Sequence, residues 1–172
     1  MASIGTPSER ANAPLTEDHL KRLGKIAHKD REGLFARNPH LAVYRDRILL
    51  VALGQGAALH YLDGVNGVKD LDVYTFYAEH PDFAWPYRRR GVADFGPSEL
   101  GWHPADERVR GKRFVGRAVD LLGRALQVPP DADPVAAVRG WLQTNNSTPR
   151  LLRQKAVIGI EPSRYFGKTI WP

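Results

Sequence analysis

The chain of 172 residues contains no cysteine. This absence excludes disulfide bonds, thiolate metal sites and a cysteine nucleophile. No apolar run approaches the roughly 20 residues that a membrane-spanning helix needs, and the N-terminus has no hydrophobic signal segment. We therefore expect no membrane association, and we expect the protein in the cytoplasm.

Several catalytic sequence motifs are also missing. The sequence has neither a Gly-x-Ser-x-Gly elbow nor the complete Walker A pattern of two spaced glycines followed by Lys-Ser/Thr. Its six histidines show no metal-ligand spacing. Serine hydrolase, P-loop NTPase and histidine-based zinc sites therefore lack support in the sequence.

Positive charge is in excess. The formal net charge is +6 and the sequence pI is near 9.8, which favours anionic partners such as nucleotides or nucleic acid, although a merely soluble basic protein is an equal alternative. Arginine suits phosphate through bidentate contacts, and nearby aromatic rings can stack on bases; the alternative is a solvated loop with its aromatics in the core. The residues concerned are Arg88, Arg89 and Arg90, with Trp85, Tyr87 and Trp102. A second basic cluster comprises Arg108, Arg110, Lys112 and Arg113.

The length and composition predict a single domain over residues 15–172, after a flexible leader over residues 1–14. A helix is predicted over residues 15–37, with Thr16 as its N-cap and Asn38-Pro39 as its end. Further strands are predicted over residues 88–95 and 112–122. A helix after Asp133-Pro134, a second from Thr148-Pro149, a strand over residues 156–160 and an extended tail complete the chain.

The most informative segment lies between residues 48 and 76. An apolar strand, residues 48–53, ends in the turn Gly54-Gln55-Gly56, and a short helix is predicted to follow. In the next predicted strand, residues 68–73 and onward to 77, Asp70 and Asp72 share one face because side chains alternate. Two like charges on one face repel, and a divalent cation is the usual reason for such a pair. The alternative is a solvated strand end with both acids paired to arginines.

This order of strand, glycine turn, helix and Asp-x-Asp strand resembles the nucleotidyltransferase superfamily, which has the polymerase-beta-like fold. The resemblance covers roughly residues 45–125, the core of the domain, and leaves the helices over residues 133–155 and the tail outside it. A third carboxylate of the family comes from a later strand, and Asp120 matches it here. The resemblance implies an α/β (α+β) fold with a mixed, twisted sheet of about four or five strands and flanking helices.

The resemblance also implies chemistry. Asp70, Asp72 and Asp120 would hold Mg²⁺ or Mn²⁺, and Asp120 would orient the nucleophile. The turn residues Gly54, Gln55 and Gly56 would bind the phosphates of an NTP, together with the arginines 88–90. The implied activity is transfer of NMP from an NTP to an unidentified acceptor, which is RNA, a protein hydroxyl or a small molecule. Small members of this family often belong to toxin–antitoxin or defence systems.

A second interpretation is that the chain has the nucleotidyltransferase-like fold but no catalytic activity. Gln55 stands where the family usually has glycine or serine, and Asp120 has Arg117 and Arg124 nearby in sequence as ordinary ion-pair partners. On this reading, the chain is an inactive nucleotidyltransferase-like module that binds nucleotide or nucleic acid through its basic face. A structural or interaction protein that needs neither metal nor anion is a third.

Overall fold

The computed structural model describes residue 11 and residues 13–65, 67–86, 90–103 and 114–172. Its helices are α1 (Glu17–Arg37), α2 (Gln55–Asp63), α3 (Pro134–Leu142) and α4 (Ser147–Arg153), with 3-10 helices at Pro39–Arg47 and Ser163–Tyr165. Its strands are β1 (Ile48–Gly54), β2 (Leu71–Ala78), β3 (Arg90–Asp94), β4 (Ala118–Leu126), β5 (Val157–Glu161) and β6 (Thr169–Trp171).

These strands form one mixed sheet in the order β3-β4-β2-β1-β5-β6. The β2 and β4 pair is parallel, and the other neighbours are antiparallel. The expected α+β class with flanking helices is confirmed. The expected strand number was too low, because the C-terminal tail adds β6 to β5. No helix in the described ranges combines the length and apolar character needed to cross a membrane.

The strand predictions were right in existence and less exact in their bounds. β2 begins at Leu71, so Asp70 lies just before the strand. β4 was predicted to begin near residue 112 but begins at Ala118. The carboxylate of Asp94 accepts the backbone N–H groups of Val115 and Gly116, at 2.8 and 2.9 Å. These hydrogen bonds hold residues 115 and 116 in a turn, so β4 begins only after them. The apolar pattern of the sequence does not predict such a turn.

Helix α1 begins where its cap predicts. The Thr16 hydroxyl accepts the N–H of His19 at 3.3 Å, and His19 Nδ1 accepts the N–H of Thr16 at 3.0 Å. These two bonds form a reciprocal capping box that satisfies donors at the start of the helix. The apolar side of α1, with Leu20, Leu23 and Ala27, is buried in the core on one side of the sheet.

The two sides of the sheet have separate cores. Val73 and Leu121 pack in the core formed with α1 and α2, whereas Tyr74 and Phe76 pack in the core formed with α3 and α4. Because side chains alternate along a strand, Asp72 faces the α3/α4 side. The fold therefore presents the acids to the side that the C-terminal helices cover.

Candidate functional site

Three functional positions predicted from the sequence lie side by side in the sheet. Gly54 at the end of β1 pairs with Asp72 on β2, and Asp72 pairs with Asp120 on β4. The β2 and β4 strands are parallel and in register here, so the two aspartates project from the same side. Gly54 and Asp120 are 66 positions apart in the sequence, and the strand order, not their local sequence, places them on either side of Asp72.

The two carboxylates lie close together, and Asp120 is buried whereas Asp72 is half-buried. Asp120 is 5 % exposed. Burial, followed by the negative charges of Asp120 and Asp70, raises the pKa of Asp72 to about 7. A hydrogen bond between the Asp72 and Asp120 side chains also raises this pKa, whereas Arg90 lowers it. The site therefore brings carboxylates together in a partly buried position, where a bound cation would relieve their repulsion.

Arg90 is the cation that the structure places at this site. Its Nη2 donates to Oδ1 of Asp120 at 3.0 Å, and its side chain is 60 % exposed. The partners considered from the sequence were Arg117 and Arg124. Arg117 Nε donates to the carbonyl of Leu100 at 2.9 Å, and an Arg124 guanidinium N–H donates to the carbonyl of Gly123 at 2.8 Å. Arg90 comes from the neighbouring strand β3, a pairing that sequence proximity does not indicate.

The glycine turn opens helix α2, as predicted. A Cβ on Gly54 would lie 2.9 Å from Leu152 and 3.1 Å from the Tyr74 ring, so any larger residue would require these side chains to shift. Gln55 has φ of 59°, a left-handed conformation that costs a non-glycine residue about 1 kcal/mol or more. Its amide Nε2 donates to the Tyr74 hydroxyl at 3.0 Å. The backbone at Gln55 thus adopts the shape for which glycine is suited, and its side chain is tied to β2.

One residue near this turn was missed from the sequence. The Lys155 ammonium lies 3.8 Å from the position that a Cβ on Gly56 would take. Lys155 immediately precedes the segment leading into β5, which pairs with β1 at Gly54. Only this late strand pairing brings the lysine to the start of α2, so the local sequence gave no signal for it.

Several predicted contacts lie outside the described residues. Arg88, Arg89 and Tyr87 belong to this group, as does the second basic cluster. Of the predicted stacking residues, Trp85 is buried in a core cluster, 4.2 Å from the Tyr77 ring and 5.0 Å from the Tyr44 ring. Its ring is therefore largely committed to packing against other aromatic rings.

The donor chemistry at the acid pair suits magnesium or manganese. Both metals prefer carboxylate oxygens, and Mg²⁺ is commonly held by one or two carboxylates together with substrate phosphates. Within the described ranges, no three or more His, Asp or Glu side chains are arranged to hold one ion. The Asp72 and Asp120 pair could therefore supply two carboxylate ligands to such an ion.

Two cavities extend along the same side of the sheet. The nearer one, about 280 Å³, is lined by Arg90, Leu122, Arg124, Ser147, Thr148 and Leu151. The larger, about 640 Å³, shares Arg124 and Thr148 with it. Its other lining residues include Leu126, Val128, Trp141 and Pro149. Neither cavity is lined by the acids themselves, but the smaller one is lined by Arg90, which binds Asp120, and by Leu122, two residues further along β4.

Comparison with known proteins gave no match to a protein-family model, to a curated protein or to a solved structure.

Proposed function

We propose that this protein is a metal-dependent nucleotidyltransferase that moves NMP from an NTP to an acceptor hydroxyl. The observation that carries the proposal is the register that aligns Gly54, Asp72 and Asp120 on three adjacent strands. A glycine turn at a helix start and a carboxylate pair are then neighbours on one surface. That is the arrangement needed to hold phosphates beside a cation.

The reaction forms one bond and breaks one. The acceptor oxygen attacks the α-phosphorus of the NTP, the bond from that phosphorus to the bridging oxygen breaks, and pyrophosphate leaves. The hydroxyl proton passes to a carboxylate, for which Asp120 is our candidate, and then to solvent. In such a reaction the protein mainly positions the reactants and stabilises developing charge.

Asp72 and Asp120 would hold the metal, with Asp70 adding negative charge nearby. When bound, the metal supplies charge neutralisation for the triphosphate and lowers the pKa of the attacking hydroxyl. The N–H groups at the start of α2 lack partners within the helix, which makes this end suited to phosphate. Lys155 adds a positive charge beside the turn. We place the reaction in the cytoplasm.

The inactive binding module is the second candidate. The ion pair between Arg90 and Asp120 favours it, because an arginine already neutralises one of the two carboxylates. On this reading, the acids orient a basic surface and no transfer occurs. A binding module should show salt-dependent affinity for nucleic acid that survives Asp72→Asn.

The test is a thermal melt with each of the four NTPs, with and without Mg²⁺ or Mn²⁺. It compares wild type, Asp70→Asn/Asp72→Asn, and Asp46→Asn as a control that neutralises an exposed carboxylate. A ligand at ~100 times its Kd stabilises a protein by roughly 2.7 kcal/mol. We expect a metal-dependent NTP shift in wild type and in the control, and none in the double variant.

Each other result points elsewhere. An NTP shift that needs no metal and persists in the double variant would contradict the transferase and support the binding module. No shift with any NTP, with all proteins folded, would remove both nucleotide readings and leave nucleic-acid binding or a protein interaction.

A further inference from the structure

The larger cavity has the dimensions of a small-molecule site. Its volume is about 640 Å³, within the roughly 300–1,000 Å³ typical of ligand pockets. Two tryptophans, Trp85 and Trp141, line it beside Leu126, Val128 and Pro149. Polar groups from Glu79, Arg124, Thr144, Asn146 and Thr148 also line it. A mostly apolar wall with a few polar groups is the usual composition of a site for a small organic molecule.

The cavity lies on the nucleophile's side of the site. It is lined by the end of β4 and its following loop, by Glu79 and Trp85 after β2, and by residues from α3 to α4, and none of the residues that line it belongs to β1 or α2. The glycine turn that would hold phosphates is on β1, separated from β4 by β2. Asp120 lies on β4 itself, and Arg124 is about 13 Å further along that strand at 3.3 Å per residue. A molecule in the cavity would therefore approach Asp120 from the side opposite the phosphates.

The charge of the cavity argues against a polynucleotide occupant. Arg124 is the one cation among the described residues that line it, and Glu79 is an anion in the same wall. A surface that follows a nucleic-acid backbone requires several cations. Arg124 is 8 % exposed and lines both cavities, so it stands at the junction between the chamber and the acids.

We propose that this cavity binds the acceptor of the transfer, and that the acceptor is a small molecule with a flat, apolar body and a hydroxyl group. This inference rests on the proposed transferase function for the role of the ligand, but the existence of the binding site can be tested separately. The body would lie against Trp141, and the molecule would have to extend past Arg124 through the smaller cavity, which Arg90 and Leu122 line, to bring its hydroxyl about 13 Å further, to Asp120.

Gly140 allows the cavity to be filled without disturbing the fold. It lies in α3 and lines the cavity, and a Cβ there meets no atom within 4 Å. Gly140→Phe should therefore occupy the chamber and leave the helix intact. Gly33→Phe is the matched control, because a Cβ on Gly33 in α1 would come close only to the end of the Arg37 side chain, at 3.2 Å from its Nη1.

The probe is 6-hydroxy-2-naphthoate. Its binding is monitored in a ¹⁵N NMR titration through the indole N–H signals of the four tryptophans. We expect the Trp141 and Trp85 signals to move in wild type and Gly33→Phe, and binding to be at least about tenfold weaker in Gly140→Phe. Binding that is equal in all three proteins, movement confined to Trp102 or Trp171, or no movement at millimolar probe would overturn the site.

A second measurement separates this proposal from the transferase itself. The metal-dependent NTP shift should be the same in wild type and Gly140→Phe if the cavity takes the acceptor. Loss of that shift in Gly140→Phe alone would show that the chamber holds the nucleotide and would overturn the acceptor role. Absence of the shift in wild type contradicts the transferase, and it overturns the acceptor role with it, whatever the probe titration shows of the site.

Discussion

Two aspartates on neighbouring parts of the same sheet have opposite environments. Asp94, at the end of β3, accepts three backbone N–H groups, from Gly96, Val115 and Gly116, at 2.8 to 2.9 Å. Asp72 lies instead beside two other carboxylates, with one arginine close to the group. A charge that is satisfied by backbone donors stabilises a turn. A charge that is crowded by others of its own sign weakens the fold unless a ligand relieves the repulsion, and such charges are common at functional sites.

The largest expected effect is on the pH dependence of stability, through Asp72. Its pKa rises from an ordinary 3.8 to about 7 in the folded protein. Because the folded pKa is above the unfolded one, the group favours folding below about pH 4, and this contribution is lost as the pH rises through 7. In Asp72→Asn that loss disappears, so at about pH 8 without metal the variant should be more stable by on the order of 4 kcal/mol.

Urea unfolding at a series of pH values measures this effect. Asp46→Asn is the control, because Asp46 is exposed and its replacement should leave the pH profile of wild type unchanged. Adding Mn²⁺ at about pH 8 should stabilise wild type and leave Asp72→Asn unaffected. A variant that is less stable than wild type at this pH would show that the carboxylates are not crowded in solution.

Asp94→Asn should give the opposite sign. The asparagine amide directs N–H groups at a backbone N–H that the carboxylate accepted, either that of Val115 or that of Gly116. Hydrogen bonds to a charged group contribute about 1.5–3 kcal/mol each, so we expect a loss of about 2 kcal/mol of unfolding free energy, at neutral pH and without a metal effect. The same urea series measures it. An unchanged midpoint would mean that the turn before β4 does not depend on this carboxylate.

The sequence reveals one of these aspartates and not the other. Asp72 could be found because a strand pattern with a charge pair follows a glycine turn, and both features are local. The position of Asp120 followed only from the family resemblance, and its register with Asp72 depends on a parallel pairing across 48 residues. Asp94 and Lys155 gave no usable signal, and Arg90 was predicted to bind phosphate but not to pair with Asp120, since the partners of all three are set by loop path and strand order. Local patterns fix helices and strands, whereas contacts between distant segments depend on the whole fold.

The smallest expected effect comes from Arg90, which lies on the same strand as Asp94 and binds Asp120. Because its side chain is 60 % exposed, solvent screens the pair, and Arg90→Ala should cost about 1 kcal/mol of stability.

The same change removes the charge that competes for Asp120, so Mn²⁺ should bind several-fold more tightly, as followed by electron paramagnetic resonance of the free ion. Arg45→Ala is the matched control, since Arg45 forms an exposed pair with Glu32 at 3.0 Å and its loss should leave metal affinity unchanged. Weaker Mn²⁺ binding in Arg90→Ala would mean that the arginine organises Asp120 for the metal instead of competing with it.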